Sequence, residues 1–173
     1  GKFLFNGRAV KLRGVNRHDF HPRKGAAVSF ADMENDLVLM KKLNVNAIRT
    51  SHYPSAPEFY RLCDRYGFYV ISESDLETHG TTIAGAAPEG TPGNTAFGLI
   101  SDDGRFEEAY AERQIANVEV NKNHPCVALW SLGNESGWGR NFVRARAELR
   151  ARDSRPIHYE SSIYVDKEKE SDV

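Results

Sequence analysis

Residues able to do chemistry fall in five short clusters along this chain. One of them, Asn134-Glu135, follows directly on the apolar run Val127 to Leu132 and a glycine. A carboxyl group delivered at the end of a buried strand can exchange a proton or ligate a cation, whereas the same group opening a helix would only meet the positive end of the helix dipole. Both readings of Glu135 stand on position alone. The other clusters are Asn16-Arg17-His18, Arg49-Thr50-Ser51-His52-Tyr53, Glu73 through Glu77-Thr78-His79, and Tyr159-Glu160. In extended backbone the Glu77-x-His79 spacing puts both side chains on one side, where they could share a metal with a third ligand from another strand. Such a mixed set, completed by water, suits Mg²⁺ or Mn²⁺ better than a structural zinc, which takes a closed shell of thiolates and imidazoles. Trp138 and Tyr53 offer aromatic faces for the C–H side of a sugar ring, with core packing as the alternative for each. Taken singly, each histidine fits a structural role as well as a chemical one, and His21 and His124, each followed by proline, are read as structural.

These clusters form one surface only if the fold brings them to one edge. Phe3 to Phe5 and Ala9 to Val15 read as the arms of a hairpin around Asn6-Gly7, a pair suited to a tight turn, with the second arm continuing as the first long strand. Ser29 caps a helix from Phe30 to Leu43, and Asp32 completes a weak capping box. Asn46 to Thr50 is a second strand. Pro57 opens a helix through Tyr66 that Gly67 ends, and Phe68 to Ser72 is a third strand. Gly80 to Asp103, rich in Gly, Thr, Ala and Pro, reads as a long loop of the kind that often serves as a functional lid. An amphipathic helix from Phe106 to Val120, the strand Val127 to Leu132, a helix from Phe142 to Ala151 and a fifth strand from Ile157 to Tyr159 follow. Strand and helix alternate over short connections, which predicts βαβ units and a parallel sheet. Every chemical cluster then lies at the carboxyl end of a strand.

Five units are too few for a closed (β/α)₈ barrel, which takes ~250 residues. The fold expected is therefore α/β, a partial TIM barrel of roughly the first five βα units with a long loop after the third strand. An open doubly wound sheet is the rival, yet it would place a glycine-rich phosphate loop where this chain has Asn16-Arg17-His18-Asp19. Residues 1–165 are read as one partial barrel domain and residues 166–173 as a charged, frayed tail.

Of the 173 residues 40% are hydrophobic and 27% charged, which supplies a core and excludes a disordered chain. The formal net charge of -1 gives no footprint for nucleic acid or an anionic membrane, and no apolar run approaches the ~20 residues of a membrane span. A small or neutral ligand is the expected partner. Cys63, in a helical pattern, and Cys126, at the head of a strand, read as buried hydrophobes in a reducing compartment, with a disulfide still open. The chain begins at Gly1 and runs straight into strand-like sequence, so it reads as an excised piece.

As a group, Asn16-Arg17-His18-Asp19-Phe20-His21-Pro22, Ile48-Arg49-Thr50-Ser51-His52-Tyr53-Pro54, Glu77-Thr78-His79-Gly80, and Asn123-His124-Pro125 through Ser131-Leu132-Gly133-Asn134-Glu135-Ser136-Gly137 resemble the catalytic barrel of the large β-galactosidases of glycoside hydrolase family 2. The likeness extends to about Ser161. It implies a retaining hydrolase of terminal β-D-galactose, acting on lactose-type galactosides, with Glu135 as general acid/base. It further implies Asn134 on the sugar's 2-hydroxyl and His18 and His52 on the galactosyl group, while Trp138 is read as pocket-lining from its own place beyond a strand end between two glycines. Arg49 would orient the nucleophilic carboxylate, and Glu77, His79 and Glu135 would hold Mg²⁺. In the retaining double displacement, acid and nucleophile lie ~5 Å apart.

The resemblance also implies a nucleophile on a later strand than any read here, because the setting of Glu160 does not match that motif. The isolated chain is accordingly expected to be inactive. Its expected partners are a β-galactoside, the remainder of the barrel and flanking β-sandwich domains, in a homo-oligomer of the bacterial cytoplasm. Three other readings remain: a β-glucuronidase or β-mannosidase relative, a non-catalytic carbohydrate-binding or structural fragment, and a metal-dependent lyase or hydrolase on the same rim.

Overall fold

Asn6 and Gly7 adopt φ of 50° and 74°, the left-handed pair that a two-residue hairpin turn requires. They join β1 (Leu4–Phe5) to β2 (Arg8–Ala9), paired antiparallel with Leu4 opposite Ala9. The computed structural model describes residues 3–83, 89–90, 96–161 and 172. The single arm expected from Ala9 to Val15 is in fact two strands. Val10 still donates its amide across the hairpin to the Phe3 carbonyl at 3.0 Å, residues 11–13 then leave it, and the amide of Arg13 donates to Oδ1 of Asn46 at 2.7 Å, handing the chain to a second sheet that begins at β3 (Gly14–Arg17).

Five strands build that sheet: β3, β4 (Ala47–Thr50), β5 (Tyr69–Glu73), β6 (Val127–Ser131) and β7 (Ile157–His158), parallel and side by side in chain order. A doubly wound sheet reverses order at a switch point, so this sequential order excludes that rival and agrees with a run of barrel strands. The connecting helices are α1 (Phe30–Lys42), α2 (Pro57–Tyr66), a single turn α3 (Gly80–Ile83), α4 (Glu107–Asn121) and α5 (Arg140–Arg150). Local chemistry sets their ends. Ser29 and Asp32 form a reciprocal capping box on α1, and Gly67 closes α2 at φ 68°.

All five residues of β6 are buried, as a strand covered on both faces requires. Its Trp130 makes one core between sheet and helices with Ile48, Phe59, Tyr60, Leu37, Phe142, Leu149 and Tyr159. Cys63 and Cys126 are free thiols inside it, and burial pushes both pKa values up. The expected long loop opens with α3, and a 3₁₀ turn at Gly104–Phe106, capped by Asp103, follows directly on its end. Its residues 84–88 and 91–95, and residues 166–171 and 173 of the predicted tail, lie outside the described residues. Among the described residues no helix is long and apolar enough to cross a membrane.

Candidate active site

Past their last ladder pairs, β5 and β6 keep running side by side. Ser74 donates its amide to the Ser131 carbonyl at 3.1 Å and Asn134 donates to the Leu76 carbonyl at 2.8 Å, so that Glu77 pairs with Asn134 as an isolated bridge. The amide of Thr78 is taken by Oγ of Ser136 at 2.8 Å. The Glu77-Thr78-His79 and Asn134-Glu135 segments therefore lie against each other as a consequence of strand pairing. Gly133 makes the approach possible. Its φ is 145°, and a Cβ there would meet the Leu76 carbonyl oxygen at 2.5 Å.

Glu135 does not open a helix. The helix that follows starts at Arg140, whose amide Asp102 accepts at 3.0 Å, so the dipole reading of Glu135 is excluded. Glu135 instead has φ 36°, a left-handed conformation that a glutamate adopts only when its surroundings impose it. Its amide donates to Oε1 of Glu160 at 2.8 Å. The next carbonyl, of Ser136, accepts from Ser101 Oγ at 2.5 Å, and that of Gly137 accepts from the Tyr159 hydroxyl at 2.5 Å. The backbone is fixed while the side chain stays 53% exposed.

Nδ1 of His79 lies 3.0 Å from Oε2 of Glu135 and 3.2 Å from Oε1 of Glu77. One ligand atom from each of the three residues falls within 4.8 Å of the others. Although close to both carboxylates, the buried His79 Nδ1 makes no hydrogen bond of acceptable geometry. Two carboxylates and an imidazole nitrogen left without a partner fit a small divalent cation, with oxygen donors in the majority as Mg²⁺ or Mn²⁺ prefers. Nδ2 of Asn134 donates to Glu77 Oε1 at 2.8 Å and so holds one of these carboxylates in place.

Beneath this trio sits a carboxylate to which sequence reasoning gave no role. Glu73, at the end of β5, is fully buried. Such burial costs several kcal/mol unless donors replace water. Arg49 Nε donates to Oε2 at 2.5 Å, Ser131 Oγ to the same oxygen at 2.6 Å, and His52 Nδ1 faces Oε1 at 2.7 Å. Nη2 of Arg49 then reaches Oδ1 of Asn134 at 2.9 Å. The available signal was a single acidic residue ending a buried strand, one strand over from an arginine. Ser131 also contacts Nδ1 of His158 at 3.0 Å, and burial together with the Arg49 charge lowers the pKa of that histidine.

The remaining expected residues are distributed unevenly. His18 and His52 stand edge to face with centroids 5.3 Å apart, and the Tyr53 hydroxyl accepts the Asp19 amide at 3.1 Å beside them. Trp138 is half-buried, stacked on Phe142 at 5.3 Å and tilted against Tyr159, so one of its faces belongs to the core. His21 Nδ1 accepts the Arg23 amide at 3.1 Å, and His124 meets Asp64 at 2.5 Å while Asp64 also takes the Cys126 amide at 2.8 Å. Asp64, His124 and Cys126 also bring one ligand atom each within 4.8 Å of one another, a second group able to hold a cation. Helix α4 also supplies buried amides: Gln114 donates to Ser74 Oγ at 2.6 Å and Asn117 to the Ser72 carbonyl at 3.2 Å, bracing the ends of β5 and β6.

A sheet wound in one direction, with carboxylates and imidazoles gathered at the carboxyl ends of its strands, is the arrangement on which barrel enzymes build their active sites. The chain belongs to glycosyl hydrolases family 2, as part of the TIM barrel domain, whose family profile matches residues 1–172. It is 46% identical over 173 residues to a β-galactosidase of Staphylococcus xylosus, with 99% of the chain and 17% of the relative aligned. It is 44% identical over 191 residues to a β-galactosidase of Actinobacillus pleuropneumoniae, with all of the chain and 19% of the relative aligned. The chain thus spans under a fifth of the length of these relatives. Among solved structures it resembles a β-D-glucuronidase of Dictyoglomus thermophilum, at TM-score 0.73 and 27% identity over 91% of this chain and 27% of that one. The apo β-glucuronidase of Ruminococcus gnavus matches at TM-score 0.72 and 26% identity over 90% of this chain and 26% of that one.

Proposed function

We propose that the chain forms the acid/base side of the active site in a retaining glycosidase that releases terminal β-D-galactose from lactose-type galactosides. The observation that carries this is the contact of His79 with both Glu77 and Glu135, next to Asn134. Galactose is favoured over glucuronic acid because the β-galactosidase relatives share 44–46% identity, against 26–27% for the glucuronidase structures.

In the first step a carboxylate attacks the anomeric carbon, the bond to the leaving oxygen breaks, and protonated Glu135 supplies the proton that the leaving oxygen needs. In the second, ionised Glu135 takes a proton from water as the water displaces the enzyme carboxylate, which restores both groups. Asn134 binds the 2-hydroxyl, His18 and His52 bind the galactosyl ring, and Trp138 offers its free face to the substrate. Glu77, His79 and Glu135 would hold a Mg²⁺ or Mn²⁺ ion, whose positive charge would favour the ionised form of Glu135.

The nucleophile belongs to another part of the full-length protein, where Arg49 orients it. Glu73 is surrounded by three donors, and Oε1 of Glu160 already accepts from the Glu135 amide and the Ser161 hydroxyl. The 173 residues alone therefore turn over no galactoside. The rest of the barrel and β-sandwich domains complete the protein, as a homo-oligomer in a bacterial cytoplasm. The test is a panel of nitrophenyl glycosides with the full-length protein. Fastest turnover of the β-galactoside supports the proposal, preference for the glucuronide or mannoside contradicts the substrate, and no turnover of any contradicts an enzymatic role.

A further inference from the structure

We infer that Glu73 is the positioning residue of this site: its buried charge fixes the hydrogen-bonding state of His52 and aims Arg49 and Asn134. The inference rests on the glycosidase reading above and adds a residue to it. An ionised carboxylate only accepts hydrogen bonds. His52 must therefore carry its proton on Nδ1, 2.7 Å from Oε1, which leaves Nε2 as the atom free for a sugar hydroxyl. The second oxygen fixes Arg49 through Nε, and the Nη2 of that guanidinium can only donate.

Because Nη2 of Arg49 faces Asn134, the amide must present Oδ1 to it and Nδ2 to Glu77, and the reversed amide would set N–H against N–H. Ser131 Oγ donates to Glu73 from the third side. One buried charge thus orders donors and acceptors from the loop after β4 to the loop after β6. A side chain serving stability alone would need no such agreement at three separate polar partners. Glu73 touches no substrate in this account and acts through His52 and Arg49.

The test is a double-substitution cycle in the full-length enzyme with a nitrophenyl galactoside. Glu73→Gln has the same shape but turns an amide N–H₂ toward one of the donors. A rise in KM of about tenfold or more is expected, and His52→Ala, costly in the parent, should cost less than about threefold in kcat/KM once Glu73 is Gln, as coupled neighbours behave. Penalties that simply multiply would overturn the inference. Glu73→Asp keeps an acceptor charge and should recover part of the loss, with His52→Ala still costly on that background; if Glu73→Gln does not fold, the tautomer of His52 in the parent decides. The tautomer of His52, read by ¹⁵N-histidine NMR without substrate, should be Nδ1–H in the parent and lose that preference in Glu73→Gln. An Nε2–H tautomer in the parent contradicts the role of Glu73 whichever glycoside the enzyme prefers, whereas failure on galactosides alone touches only the substrate proposal.

Discussion

Nδ1 of His79 stands 3.0 Å from Oε2 of Glu135, so the carboxyl proposed to move the proton shares an imidazole with Glu77. This contact joins two strand ends that the sequence holds far apart. It exists because β5 and β6 continue to pair beyond their ladders, through Asn134 and the Leu76 carbonyl.

If the trio binds Mg²⁺, removing one of its three ligands should show directly in binding. Calorimetry on the full-length protein without sugar should find that His79→Ala weakens Mg²⁺ binding by about 10-fold or more, since even outer partners of metal ligands are worth 10- to 100-fold. Equal affinity in parent and variant would remove His79 from the site.

Gly133 should tolerate no side chain. At φ 145°, and with the Leu76 oxygen 2.5 Å from the position of a Cβ, Gly133→Ala should cost about 1–3 kcal/mol in urea unfolding. It should also lower kcat/KM, because Asn134 and Glu135 follow directly. An alanine variant of parental stability and activity would mean the approach of the two strand ends is looser than described.

Stability should fall on acidification in a window set partly by His158. Burial first, and then the Arg49 charge, lower its folded-state pKa below the ordinary ~6.5. As pH drops through about 6.5 the unfolded chain takes up a proton that the folded chain refuses, so stability declines until the lowered pKa is reached. Urea midpoints between pH 7.5 and 5 should decline less steeply for His158→Asn. An unchanged slope would assign the decline to other groups.

The stack of Trp138 on Phe142 separates packing from sugar binding. Phe142 is fully buried among Tyr110, Trp138 and Tyr159, and Phe142→Ala should cost about 3–5 kcal/mol by unfolding. Trp138→Phe, which keeps an aromatic face on Phe142, should hold most of the stability and raise KM for the galactoside. A parental KM in that variant would confine Trp138 to the core.

Much of the fold was legible because its signals are local. Asn6-Gly7 dictates a turn, Ser29 and Asp32 a capping box, Gly67 a helix end, and the unbroken apolar run of β6 a strand covered on both faces. The break of the first long strand at residues 10–13 was not legible, because it depends on Asn46, far along the chain, capturing Arg13. Within the site, Glu77, His79, Asn134 and Glu135 stood out by spacing and by position after strands. Glu73 did not, since its importance comes from the donors that Arg49, His52 and Ser131 turn on it. The buried amides of Gln114 and Asn117 were hidden for a related reason: an amphipathic pattern shows which face of a helix is covered and not that the covering needs hydrogen bonds.

The most direct measurement of the role of Glu135 uses Glu135→Gly in the full-length enzyme with two galactosides differing in their leaving group. A general acid matters most when the leaving group is basic, and general acid–base catalysis is worth about 10²–10⁴-fold. Cleavage of lactose should therefore collapse, while attack on dinitrophenyl galactoside, which needs no proton, should persist to the glycosyl-enzyme. Added azide, which needs no general base, should then restore turnover and yield β-galactosyl azide. Equal losses on both substrates with no azide rescue would contradict Glu135 as the acid/base.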